Sequence, residues 1–148
     1  SISSTDELFL QEKFTDKEEI SVDTSITFSE DDNYSTNYYS DQKLTLKLSV
    51  GGADILFAPE FVFQQYADAG SMMPLTDFLT EAELALYQDA IIYATDSETG
   101  ETLPCGLKLT DNQWLSDNGY YTGTVYLGIA YATDNKDNAV DFFHYVLN

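Results

Sequence analysis

Basic residues are scarce in this chain. Six lysines and arginines stand against 26 acidic residues, a formal net charge of -20. A surface so negative repels phosphate backbones and anionic lipid heads, which argues against nucleic acid and acidic membrane as partners. It favours solubility, and cations or cationic ligands are the species it attracts. Cysteine is scarcer still: Cys105 stands alone, which excludes an internal disulfide and a multi-cysteine zinc cluster. No run of about 18 apolar residues occurs, so no membrane-spanning helix is expected. Ser1 opens a polar stretch without the character of a secretory leader.

The one histidine, His144, sits between Phe143 and Tyr145, with Asp141 and Lys136 as charged neighbours along the chain. That setting reads as a structural or surface histidine. The chain has no G-x-S-x-G elbow, H-E-x-x-H, P-loop or G-x-G-x-x-G. Gly51-Gly52 lacks the spacing that cradles phosphate. Cys105 lies in Pro-Cys-Gly with no histidine near it in sequence, which favours a packed turn over a reactive thiol. The acidic run Glu30-Asp31-Asp32 lacks the glycine and terminal glutamate of a calcium loop and reads as solvated. No catalytic residue, metal site or cofactor is therefore expected, and the chain reads as a non-enzyme.

What is present is enough apolar material for a core. The chain is 43% hydrophobic and 14% aromatic over 148 residues, and a chain of this size buries roughly two-thirds of its unfolded surface. One domain over residues 1–148 is expected, with 1–18 as a peripheral segment. Leu8, Phe9 and Phe14 give a weak helical stripe. Ile20, Val22 and Ile26 alternate within a strand from Glu18 to Phe28. Leu44, Leu46, Leu48 and Val50 also alternate, yet Tyr34, Tyr38, Asp41, Leu44 and Leu48 share a helical face, and Gly51-Gly52 is a helix stop.

Ala53–Ala58 reads as a buried central strand ended by Pro59. Glu60–Ala69 follows as a helix with Phe61, Phe63, Tyr66 and Ala67 inward. Thr80 and Glu83 form a capping box for a helix carrying Leu84, Leu86 and Tyr87. Ala90–Thr95 and Thr102–Leu109, the latter interrupted by Pro104, flank a turn at 96–100. Residues 111–123 read as irregular. Thr124–Ala132 is a buried strand, and Asp137–Leu147 a helix with Ala139, Val140, Phe143, Val146 and Leu147 inward. Helices alternating with short buried strands predict an α/β domain.

An ordered set of motifs resembles the extracellular solute-binding proteins of the type 2 periplasmic-binding fold. Leu44 to Phe57 (LTLKLSVGGADILF) is similar to the family's helix that ends at glycine before a strand opening with aspartate. Tyr66-Ala67, Gly70 and Pro74 to Phe78 resemble the segment that follows. Tyr87 to Ala90, Leu103 to Leu109 and Asn135 to Phe143 resemble later motifs in the same order. On this resemblance Lys43–Val50 is expected to be helical. Where the family inserts a second lobe, this chain has only the short stretch 110–123.

The resemblance implies a trimmed, single three-layer-like lobe with a mixed sheet flanked by helices, like lobe 1 of that fold. It implies a place at the cell surface of a Gram-positive bacterium, tethered to the membrane through a segment outside this chain. It implies a small solute, weakly held near the loops after Phe57 and around Pro104 to Leu109. Phe57, Glu60, Trp114, Tyr120 and Tyr121 are the candidate contacts, the last three being rings that either stack on a ligand or pack the core. A protein partner, including the membrane-anchored remainder of the same protein, is the other expected occupant. The functional expectation is a non-catalytic binding or accessory module related to transporter solute-binding proteins. The alternatives are an interaction or sensory domain that keeps only the fold and, behind both, a carbohydrate-active enzyme.

Overall fold

The computed structural model describes residues 34–117, 119 and 123–147. The expected stripe at Leu8 to Phe14, the strand Glu18–Phe28 and the run at Glu30 lie outside them, as do Tyr120 and Tyr121. Two compact units are delimited, Ser1–Leu44 and Thr45–Asn148. A helix, α1 (Tyr34–Ser49), runs from the first into the second.

This helix settles the ambiguous stretch. A strand would set Leu44, Leu46, Leu48 and Val50 on one face. Instead Leu44 and Leu48 are buried, while Leu46 and Val50 are 63% and 69% exposed, as spacing by helical turns requires. Gly51 stops the helix in the left-handed region (φ 73°), and the Gly52 N–H returns to the Lys47 carbonyl at 2.8 Å.

The second unit contains the sheet. Strands β1 (Ile55–Ala58), β2 (Ile91–Thr95), β3 (Thr102–Thr110) and β4 (Thr124–Ile129) lie in the order β1-β4-β3-β2, so β1, expected as a buried central strand, is an edge strand of this sheet and mostly half-buried. Every neighbouring pair is antiparallel, so the expected mixed sheet is corrected. The cause is connectivity: β2 to β3 is a tight hairpin, β3 and β4 are also consecutive, and β1 closes against the far side of β4. Between β1 and β2 run α2 (Glu60–Asp68), a 3-10 turn (Leu75–Asp77), α3 (Glu81–Leu86) and a second 3-10 turn (Gln88–Ala90). The remaining helices are α4 (Gln113–Asp117) and α5 (Lys136–Leu147). The described residues thus form an α/β unit of four strands and five helices.

Side-chain parity assigns the two faces of the sheet. Gly106 and Gly128 stand opposite each other on the central strands, and the Phe63 ring of α2 lies over both. On the other face Phe57 of β1 stacks on Trp114 of α4, which meets Phe142 of α5. Helices therefore cover both faces. In α2 the inward residues are Val62, Phe63, Tyr66 and Ala67. Phe61 points outward instead, because one step of about 100° leaves it off the stripe that 62, 63, 66 and 67 complete.

Other boundaries also shift. Pro104 does not interrupt β3: it pairs with Tyr93 where the register slips between Ile92 and Tyr93, a site that needs no ladder N–H. The stretch expected to be irregular contains α4, which buries Trp114 and Leu115. Helix α3 spans only six residues, with Leu86 74% exposed. In α5 the buried residues are Ala139, Phe142, Phe143 and Val146, so Phe142 takes the place expected for Val140.

Candidate functional site

Of the five expected ligand contacts, the structure brings two together. Phe57 is half-buried opposite Leu127, and its ring lies 6.1 Å from that of Trp114 at an interplanar angle of 13°. Trp114 is 7% exposed and meets Phe142 edge-on at 5.2 Å. These rings form a column between sheet and helices, so Trp114 packs the core. Glu60 is exposed at the start of α2, on the opposite face. It accepts a hydrogen bond from Tyr126, whose hydroxyl is held above its ordinary ionisation range, first by burial and then by the Glu60 charge. The sheet separates Glu60 from Phe57 and Trp114.

The described residues form a different concavity, beside the end of β3. Tyr87, Ala90, Leu109, Thr110, Asn112 and Leu147 are among those that line an open groove of about 210 Å³. It exists because β3 is nine residues long and β2 only five. The last pair of that ladder is Ile91 with Leu107, so β3 runs on without a strand beside it. Before Ile91 the chain turns away, and the Ala90 N–H bonds to the Tyr87 carbonyl at 2.8 Å.

At the far end Asp111, at φ 51°, bends the chain out of β3. Asn112 then joins two helices: its Nδ2 donates to the Val146 carbonyl at 3.0 Å and its Oδ1 accepts from the Leu115 N–H at 3.1 Å. The resemblance implied a solute near the loops after Phe57 and around Pro104 to Leu109; Leu107 and Leu109 line this groove, and so do Tyr87, Asn112 and Leu147, which were not among the expected contacts. Only the fold brings those three residues to the end of β3.

Several titratable groups outside this groove make defined contacts. His144 on α5 places Nε2 2.7 Å from Glu83 Oε2 on α3 and Nδ1 2.9 Å from the Val140 carbonyl. Glu83 also accepts from the Thr80 N–H, completing the expected capping box. That backbone hydrogen bond is the main cause holding its carboxyl below the usual 4.5, with His144 adding to it against an opposing effect of burial. Cys105 is buried, and burial pushes its thiol up. Asp54, at the entry to β1, accepts from Thr133 Oγ1 at 2.6 Å and ties the ends of β1 and β4 together. Among the described residues no group of three or more histidine, cysteine, aspartate or glutamate side chains is placed to hold a metal ion. Comparison of the chain with protein-family models, curated proteins and solved structures finds no match.

Proposed function

We propose that this chain is a non-catalytic binding module, a one-lobe relative of the extracellular solute-binding proteins that acts at the cell surface through a partner. The observation that carries the reading is the open groove at the end of β3. Its volume of about 210 Å³ falls below the roughly 300–1,000 Å³ of sites that enclose a small ligand. A solute in it keeps much of its surface in water, whereas a partner that brings its own surface closes the groove from outside. The kinship draws support from α1 ending at Gly51 ahead of β1, in the order that the resembling motif implies.

Calorimetry of the chain against sugars and amino acids tests this. No submicromolar affinity is expected. Submicromolar binding of one of these solutes to the monomer would restore a true solute receptor. Turnover on a panel of glycosides and esters, abolished by replacing a single carboxylate, would make the chain an enzyme.

A further inference from the structure

We propose that His144 is a pH-sensitive latch on the groove: its charged ring ties α3 to α5, and loss of that charge frees α3 to move. What the latch does for binding rests on the binding-module reading above; the latch itself does not.

The placement of protons supplies the first argument. His144 Nε2 lies 2.7 Å from Glu83 Oε2, and Nδ1 lies 2.9 Å from the Val140 carbonyl. A carbonyl only accepts, and so does an ionised carboxylate. Glu83 is held below the usual 4.5, so it is ionised at neutral pH. Both ring nitrogens therefore donate, and only the imidazolium carries two N–H groups. Neutral imidazole has one proton for two acceptors and turns a lone pair on either Glu83 or Val140. Histidine changes charge between about pH 5 and 8, and His144 is the only one in the chain. The tie is thus complete on the acid side of that range and weakens as the pH rises through it.

The second argument is where the tie sits. The Tyr87 N–H donates to the Glu83 carbonyl at 3.1 Å, so the residue that meets His144 stands one helical turn from a wall of the groove. Leu147, another wall, follows His144 by about one turn of α5. The two helices are held unequally. Helix α5 buries Ala139, Phe142, Phe143 and Val146, and Asn112 binds its end by donating to the Val146 carbonyl. Helix α3 spans six residues and buries none of them. Elements with few buried contacts open first, so α3 is the half that moves, and Tyr87 moves with it.

Other charged groups adjoin the ring. Glu81 shares the first turn of α3 with Glu83. Asp137 and Asp141 precede His144 on α5 by about two turns and one. Beside it in sequence, the Tyr145 hydroxyl is held above its ordinary range by burial. Lys136, at the start of α5, donates to the Asp77 carbonyl at 3.3 Å. Asp141 is the rival to Glu83 for the ring, and the test separates them.

The full chain is titrated from about pH 5 to pH 8 and followed by nuclear magnetic resonance. A single histidine gives a single imidazole transition to follow. The Tyr87 ring and Leu147 methyl signals are expected to shift with the midpoint of that transition. The Leu84 and Tyr87 amides should lose protection above it, beyond the rise in exchange that alkali itself causes. In Glu83→Gln the side-chain amide donates to a neutral Nε2 or accepts from a charged ring, so the coupled shifts are lost. Asp141→Asn should keep them. The latch is overturned by a His144 signal without a transition in that range, or by Tyr87 and Leu147 signals that stay flat through it. Coupled shifts that survive in Glu83→Gln, or vanish in Asp141→Asn, overturn it too. No ligand enters this test, so its failure leaves the binding-module reading standing. Tight solute capture in calorimetry removes that reading without touching the latch.

Discussion

Two glycines illustrate how single residues hold this fold. A Cβ on Gly128 would lie 2.7 Å from Phe63 Cζ and 3.0 Å from Met72 Cε, both side-chain atoms. A Cβ on Gly106 would meet the same ring and, in addition, the Leu127 carbonyl oxygen at 2.9 Å. Overpacking of this kind costs about 1–3 kcal/mol. Gly128→Ala is therefore expected to destabilise by about that amount in urea unfolding, and adding Phe63→Leu should recover part of the loss. Gly106→Ala should be rescued less, because a backbone oxygen cannot withdraw as a ring can. Additive costs in the Gly128 cycle would show that the ring is not the obstacle. Cys105 gives a second check at this scale. Buried at 4% exposure and with its thiol raised by burial, it should resist a thiol reagent in the native state and react fully in denaturant. Rapid native labelling would contradict its burial.

Helix α5 is the main cover on its side of the sheet, and its stability follows from two kinds of contact. Phe143 is fully buried and meets Phe78 edge-on at 5.1 Å. Phe143→Ala should cost about 3–5 kcal/mol, the range for a large aromatic removed from a core. A variant melting within a degree or two of the parent would show the helix to be peripheral. The polar contact is Glu83, which joins the start of α3 to His144 of α5. Thr80→Ala removes the cap hydroxyl and should cost about 1 kcal/mol. Because the Glu83 carboxyl is held below 4.5 when folded, its ionised form stabilises the native state above that value. That contribution fades as pH falls through the folded value. The margin in melting temperature between the parent and Glu83→Gln should accordingly narrow below about pH 4.5. A margin constant from pH 6 to pH 3 would remove the carboxylate from the account.

The charge acts on the molecule as a whole. At -20, self-repulsion opposes the compact state, and salt screens exposed charges beyond about 10 Å at 0.1 M. Moderate sodium chloride should raise the melting temperature. A flat or falling response would mean that the acids are locally paired.

Much of the element order was legible in the residues. Gly51-Gly52, Pro59, the Thr80 and Glu83 box and the apolar runs at 53–58 and 124–132 act locally, through backbone conformation and hydrogen bonds a few residues long. Local rules therefore placed most helices and strands, and composition alone determined the acidity. Tertiary structure decided what depends on distant partners. Periodicity could not choose between helix and strand for Leu44 to Val50, because alternating leucines satisfy both patterns; the helix puts Leu44 and Leu48 on its buried side. Strand pairing was hidden because hydrogen bonds between strands leave no trace in the order of residues, so the antiparallel sheet came only with the fold. The groove was hidden for the same reason. It arises from a difference in length between β2 and β3 and from helix ends brought together by Asn112, and no stretch of sequence contains both.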